Sequence, residues 1–249
     1  SDVCSSDLSA AALLAGCIWL GAGHYRKQQP DLSVVAACLM EKVMEADEIQ
    51  LIVAPGQMLR VKDGGTVTYQ QNGGIQVDEN VLSSDEMQNG PYDQIIVPKG
   101  RLGRLILSDG TELYINSGTK VVYPERFERK RREIFVDGEI YIDVRRDGTA
   151  PFVVKTAHFD VEVLGTAFDV RAYSNEDSCD EIVLLRGAVN VKSVSGAEVK
   201  LIPDKKAVVS ANGVIHTETV DAADYILWTK GILPLNNGTI GDIVDDLSR

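Results

Sequence analysis

An all-β domain is what this sequence predicts, and three observations carry it. Short apolar runs are separated by Asp109-Gly110, Ser117-Gly118, Asp137-Gly138, Asp147-Gly148 and Asn212-Gly213. Within the runs, apolar and polar residues alternate, as in Ile140, Ile142 and Val144 against Glu139, Tyr141 and Asp143; this is the period of a half-buried strand. Turn signals recur at the spacing of sandwiches, barrels and β-solenoids. The predicted architecture is an antiparallel, hairpin-rich β-sandwich or solenoid-like domain over residues 49–220. The densest stretch is Leu105 to Pro124, LILSDGTELYINSGTKVVYP. Asp-Gly between alternating apolar residues predicts a type I′ hairpin turn, which needs positive φ at both central positions. Pro124 closes the last run because proline cannot donate to a sheet ladder.

In chain order, residues 1–7 belong to a stretch, SDVCSSDL, with the character of an artefactual or truncated start; it is set aside from fold reasoning, and the chain is expected to be a fragment. Residues 8–25, LSAAALLAGCIWLGAGHY, form an apolar run at the short edge of what spans a hydrocarbon core of about 30 Å. Three readings fit it. A transmembrane helix has Trp19 and Tyr25 as interface anchors and Arg26-Lys27 as polar stop. A lipoprotein signal fits Leu14-Ala15-Gly16-Cys17, although the run stays apolar beyond the cysteine. A buried globular helix needs a partner surface all round. The transmembrane helix fits best.

Residues 26–48 read as a juxtamembrane linker with a helical patch, SVVAACLMEKVMEA, in which Val34-Val35 could equally open a strand. From Ile49 the pattern is β: IQLIV, MLRV, TVTY, IQV, with Ser83 to Gly90 as a polar loop before Ile95-Ile96-Val97. In Phe159 to Val170 the apolar set changes phase, odd at Phe159, Val161 and Val163 and even at Phe168 and Val170, with Leu164-Gly165-Thr166 at the change. A one-residue phase change at a glycine is what a bulge or tight bend produces. Five further strands run from Glu181 to Val220. Residues 221–249 then change character to a short strand and a helix with Ile240, Ile243, Val244 and Leu247 at i, i+3, i+4 and i+7.

The formal charge of −12 argues against nucleic acid, whose binding rests on neutralising phosphates with Lys and Arg. One basic cluster stands out: Arg126, Arg129, Lys130, Arg131 and Arg132, interleaved with Glu125 and Glu128. It reads as a solvated loop between strands, or as a dock for an acidic partner. The four cysteines show no metal spacing, and His158 and His216 read as strand residues. No nucleophile elbow, zinc motif or phosphate-binding loop is present. Neighbouring acids such as Asp180-Glu181 point apart and make no acid/base couple. The Asp-Gly loops each supply one carboxylate where calcium wants six or more oxygens. No catalytic residue, metal or cofactor is therefore assigned.

The phrases LSDGTELYINSGTKVVYPERF, VDGEIYIDV and PFVVKTAHFDVEVLGTAFDVRAY resemble, in order and spacing, the FecR family of transmembrane sigma-factor regulators. The resemblance spans about Ile95 to Val191 and rests on Asp109, Gly110, Thr111, Asn116, Tyr123, Pro124, Gly138, Glu139, Pro151, Phe152, Leu164, Gly165, Thr166 and Phe168, which it implies are structural. It is weaker toward the C-terminus, where Trp228 and Leu247-Ser248-Arg249 match a passage that opens a small α/β, signalling-domain-like module. Pro234 departs from the aromatic usual there. The resemblance implies a partner-contact region about Trp228, Leu235 and Leu247. It also implies a single-pass inner-membrane protein with residues after the helix in the periplasm. Its partners would be the signalling domain of a TonB-dependent transducer and, through a cytoplasmic domain, an extracytoplasmic-function sigma factor. An exported or lipid-anchored β-sandwich binding carbohydrate or another surface ligand is the alternative, though Trp228 is the one tryptophan of the β-region.

The phase change at Gly165 yields the first prediction. Gly165→Val should crowd the bend and lower the melting temperature by several degrees; an unchanged thermal melt would refute the bend.

Overall fold

The computed structural model describes residues 31–41, 47–53, 57–70, 73–82, 91–174 and 179–232. The apolar run 8–25, the polar loop at Ser83 to Gly90, Leu235 and the expected C-terminal helix lie outside these residues. Among the described residues no helix is long and apolar enough to cross a membrane.

The described chain is mostly strand, and the strands form one continuous sheet curled into two leaves. The first half contributes β1 (Ile49–Val53), β2 (Gln57–Val61), β3 (Thr66–Tyr69), β4 (Ile75–Val77), β5 (Asn80–Leu82) and β6 (Asp93–Ile96). The motif-bearing middle contributes β7 (Gly103–Ile106), β8 (Glu112–Ile115), β9 (Lys120–Tyr123), β10 (Arg132–Asp143), β11 (Phe152–Lys155) and β12 (Phe159–Val163). The last third contributes β13 (Ala167–Ala172), β14 (Asp180–Arg186), β15 (Val189–Ser193), β16 (Glu198–Leu201), β17 (Lys205–Val209) and β18 (Ile215–Thr219). Leaf A runs β2-β1-β6-β9-β10-β11-β12-β15-β16. Leaf B runs β5-β4-β3-β7-β8-β10-β13-β14-β17-β18. The alternating apolar residues of both leaves meet in one core, with Leu51 and Val121 from leaf A and Leu105 and Phe168 from leaf B. The result is a curled sandwich rather than a solenoid. Two pairings, β3–β7 and β10–β11, are parallel where all pairs were expected antiparallel.

The strand common to both leaves is β10. Its first half pairs with β9 and β11, its second half with β8 and β13. Asp137-Gly138, expected as a hairpin turn, is therefore a bend inside one continuous strand. The even-numbered core residues run through it unbroken, from Ile134 and Val136 to Ile140, Ile142 and Val144, all buried. Gly138 occupies the core-facing position at the bend with φ of +135°. A Cβ there would lie 2.6 Å from both Cα and Cβ of Thr119, a distance no side chain tolerates. Thr119 instead uses its hydroxyl on the bend, accepting from Glu139 N at 2.9 Å and donating to Glu139 O at 3.2 Å. Backbone groups displaced by the bend are thus satisfied without water.

Ser117-Gly118 is a joint of the same kind. It links β8 to β9, which do not pair with each other but lie along the two halves of β10. The chain switches leaves again at Leu164-Gly165-Thr166, between β12 and β13, and this accounts for the phase change read from the sequence. A Cβ on Gly165 would sit 2.6 Å from Arg146 Cα.

Genuine hairpins close β3–β4, β7–β8, β15–β16 and β17–β18, and all four use one turn. In each, the first residue's N–H donates to the carbonyl four residues on, and a glycine N–H donates back across three, as in Leu107 N to Thr111 O and Gly110 N to Leu107 O. Among the described residues, the non-glycines at positive φ are Asp78 and Asp204. Asp109 and Asn212 are thus not at positive φ, and the expected type I′ turn is replaced by a three-residue loop whose glycine alone is left-handed. The longer loop leaves the Asp109 carboxylate free to fold back on Thr111.

The helical patch forms α1 (Leu32–Glu41). Leu32 and Ala36 are buried against Val122 and Phe135 on the outer face of leaf A, with Tyr92 beside them.

Gly138→Ala is expected to destabilise the domain by roughly 2–5 kcal/mol, combining a disallowed φ with overlap onto Thr119. Chemical denaturation with an unshifted midpoint would refute the joint.

Candidate functional site

The motif residues converge on two structural joints and two core positions. At the first joint, the Asp109 carboxylate accepts from Thr111 N at 2.9 Å and Thr111 Oγ1 at 2.8 Å, and from Arg132 Nη1 at 2.7 Å. Arg132 belongs to the basic cluster read as a solvated loop, yet its side chain is only 4% exposed. It also donates to the carbonyls of Ala150 and Arg145, and its guanidinium lies 5.3 Å from the Phe152 ring centroid. Pro151 O accepts from Arg132 N, and Leu164 O from Asp147 N. One buried cation thus ties Asp109, Gly110, Thr111, Pro151 and Phe152 together, with Leu164, Gly165 and Thr166 beside the same 144–151 loop. Removing one member of such a pair typically costs about 3–5 kcal/mol, because the other is left buried and charged.

The second joint contains Asn116, Gly138 and Glu139. Asn116 Nδ2 donates to Glu139 Oε2 at 2.7 Å, and Tyr173 O–H to Ser117 O at 2.8 Å. Tyr123 and Phe168 lie in the core; the Tyr123 hydroxyl is 3.2 Å from that of Tyr69, which donates to the buried Asp93 at 2.7 Å. Burial raises both tyrosine hydroxyls well above their ordinary range. Pro124 ends β9. These residues are joints and packing, not an exposed site.

The surface with chemistry on it is the outer face of leaf B. Direct cross-strand neighbours there run Arg104, Tyr114, Tyr141, Asp169, Val183, Lys206 and Glu218. The next row includes Glu139, Arg171 and Glu181. A 3-10 helix over Asp224–Lys230, where the sequence reading had placed no helix, lies on this face. Trp228 Nε1 donates to Asp169 Oδ1 at 3.3 Å. Lys206 Nζ is 2.9 Å from both Glu181 and Glu218, with the Tyr225 ring 5.3 Å away. Burial pushes the Asp169 carboxyl well above the ordinary carboxylate range, and the neighbouring Glu139 charge pushes the same way. Burial alone would lower the Lys206 ammonium, but hydrogen bonds to Glu218 and Glu181 outweigh it and hold it above its usual value.

Of the expected partner-contact residues, Trp228 is on this face; Leu235 and Leu247 lie outside the described residues. Asp169 and Lys206 were missed. The odd phase of Asp169 between Phe168 and Val170 marked it as outward-facing, but no pattern announces that a tryptophan 59 residues later would cover it. His158 sits in the bend before β12, not in a strand, with Nδ1 2.8 Å from Asp180 Oδ2. Burial raises the Asp180 carboxyl, against the lowering effect of His158. No group of three or more potential metal ligands exists among the described residues.

A curled sandwich whose motifs are its own joints, with a polar outer face and open strand edges, is the framework of a binding or regulatory module. A family profile described as FecR protein matches residues 93–190. Two crystal structures of a candidate anti-sigma factor from Parabacteroides distasonis are similar at 32% identity each. One has a TM-score of 0.60, covering 64% of this chain and 74% of that one. The other has a TM-score of 0.59, with 63% and 73% covered. No curated protein matches the chain. The chain belongs to the FecR family.

The buried carboxyl sets a pH dependence. A carboxyl held above its ordinary range binds its proton more tightly folded than unfolded. Its stabilising contribution is complete in acid, below the unfolded-state value, and is lost as pH rises through the folded-state value. Asp169→Asn keeps an acceptor for Trp228 without the charge. It should melt above the parent at neutral pH, with the advantage shrinking toward pH of about 4. Equal melts at both pH values would show that the Asp169 carboxyl is not raised by its surroundings.

Proposed function

We propose that this chain is the sensor part of a membrane-bound regulator of an extracytoplasmic-function sigma factor, relaying a signal from a TonB-dependent outer-membrane transducer. The observation that supports it most is the 32% identity, over the sandwich, to a candidate anti-sigma factor. In this reading residues 8–25 cross the inner membrane once and the residues after them stand in the periplasm. The sigma factor is engaged by a cytoplasmic domain ahead of the apolar run.

The docking element of the reading is β18, the edge of leaf B opposite β5 and exposed along most of its length. Val214, His216, Glu218 and Val220 form the hydrogen-bonded pairs with β17, as Ser210 N to Val214 O and Val220 N to Asp204 O show. Alternation in an antiparallel ladder turns the N–H and C=O of Ile215, Thr217 and Thr219 outward. An extended segment of the transducer's signalling domain would add to this edge, with main-chain bonds supplying affinity.

Thr217→Pro removes an outward donor and leaves the ladder to β17 intact. Titration calorimetry of the full chain against the signalling domain of a co-encoded transducer should show binding by the parent and a loss of about tenfold or more in the variant, a loss of one or more hydrogen bonds. Its circular dichroism should be unchanged. No binding by the parent would overturn the reading.

A further inference from the structure

Among the described residues, nothing covers the outer face of α1 or the Arg129 and Lys130 side chains of the adjacent basic loop. A surface helix ordinarily turns a polar stripe to water. In α1, Leu32 and Ala36 face the sandwich, yet the opposite side presents Val34, which is 67% exposed, together with exposed Ala37 and Cys38. No Asp, Glu, Lys or Arg occurs between Leu32 and Met40.

Beside α1 stands the loop between β9 and β10. Phe127 anchors it, its ring 5.5 Å from that of Phe152, and Arg126, Arg129, Lys130 and Arg131 are exposed. Arg126 pairs with Glu125, and Arg131 with Glu133. Arg129 and Lys130 make no ion pair among the described residues. In a chain of net charge −12 this is a concentrated positive knob. Tyr92 joins the two elements: it packs in the α1 cluster, and its hydroxyl is raised by burial and by the carboxylates of Glu133, Glu128 and Asp31. Asp31, the first described residue, is itself 3.7 Å from Lys155 on leaf A.

We infer that the exposed face of α1 and the loop 125–131 together form a docking surface for an anionic lipid bilayer. The inference rests on residues 8–25 being the membrane segment. Between Tyr25 and Asp31 the chain can extend at most about 20 Å, so the start of α1 is held close to the bilayer that the segment enters. Small apolar residues flanked by arginine and lysine are what an interfacial surface needs, with anionic headgroups drawing the cations over a Debye length of about 10 Å. Docked in this way, the sandwich has a set orientation, and β18, the last strand of leaf B, is not part of the lipid-facing surface.

The test uses the full chain in nanodiscs of phosphatidylcholine alone or with anionic phosphatidylglycerol, read by amide hydrogen exchange. Exchange in 125–131 and α1 should slow by about tenfold in the anionic discs. The difference should vanish in Arg129→Glu/Lys130→Glu and shrink in Val34→Glu, with exchange in β10 unchanged in both. Incorporation into both discs with equal exchange in 125–131 overturns the inference and leaves the membrane reading standing. Failure to incorporate into neutral discs overturns that reading and the inference with it. Protection that arises only on adding an acidic protein partner, in either disc, also overturns it and assigns the knob to that protein.

Discussion

Everything in this sandwich hangs on the close approach of β10 to Thr119. A strand that serves two leaves must fold over at a point where its inward side chain would otherwise fill the crease. Gly138 removes that side chain, and the Thr119 hydroxyl occupies the space while bonding both backbone groups of Glu139. Core alternation continues unbroken on either side. The two leaves therefore share one hydrophobic core without an extra connection; Ser117-Gly118 switches leaves beside this crease, and Leu164-Gly165-Thr166 does so beyond the end of β10, against Arg146.

The motif residues divide their labour accordingly. Asp109 does more than turn a hairpin: it orients Thr111 and neutralises Arg132, whose remaining hydrogen bonds gather the loop from Arg145 to Ala150. Charged groups in such surroundings are tolerated only when paired. The pair fixes where the β7–β8 turn sits relative to β11, and so positions the framework from which the outer faces project.

Those faces carry the features a regulator can use. Leaf B presents carboxylates crowded beneath Trp228 and Tyr225, and the 3-10 helix that carries these aromatics leads directly into the C-terminal segment. Leaf A carries the apolar α1 and the basic loop. The two surfaces lie on opposite leaves of one rigid core, an arrangement in which one leaf can be anchored while the other receives a partner.

Strand positions, the closing role of Pro124 and the crowding at Gly165 were legible in the sequence, because side-chain alternation and backbone sterics act between near neighbours. So was the family, through phrases whose residues prove to be joints. Three features were decided only by tertiary structure. Asp137-Gly138 became a bend, since its sequence is equally compatible with a hairpin and the choice depends on Thr119 packing from another strand. Arg132 left its basic run for the interior, because Asp109 and the carbonyls of Arg145 and Ala150 offered it partners. Asp169 became buried when Trp228 closed over it. In each case the deciding contact joins residues between 18 and 59 positions apart, as Gly138 with Thr119, Arg132 with Ala150 and Asp169 with Trp228 do, so no local pattern could announce it.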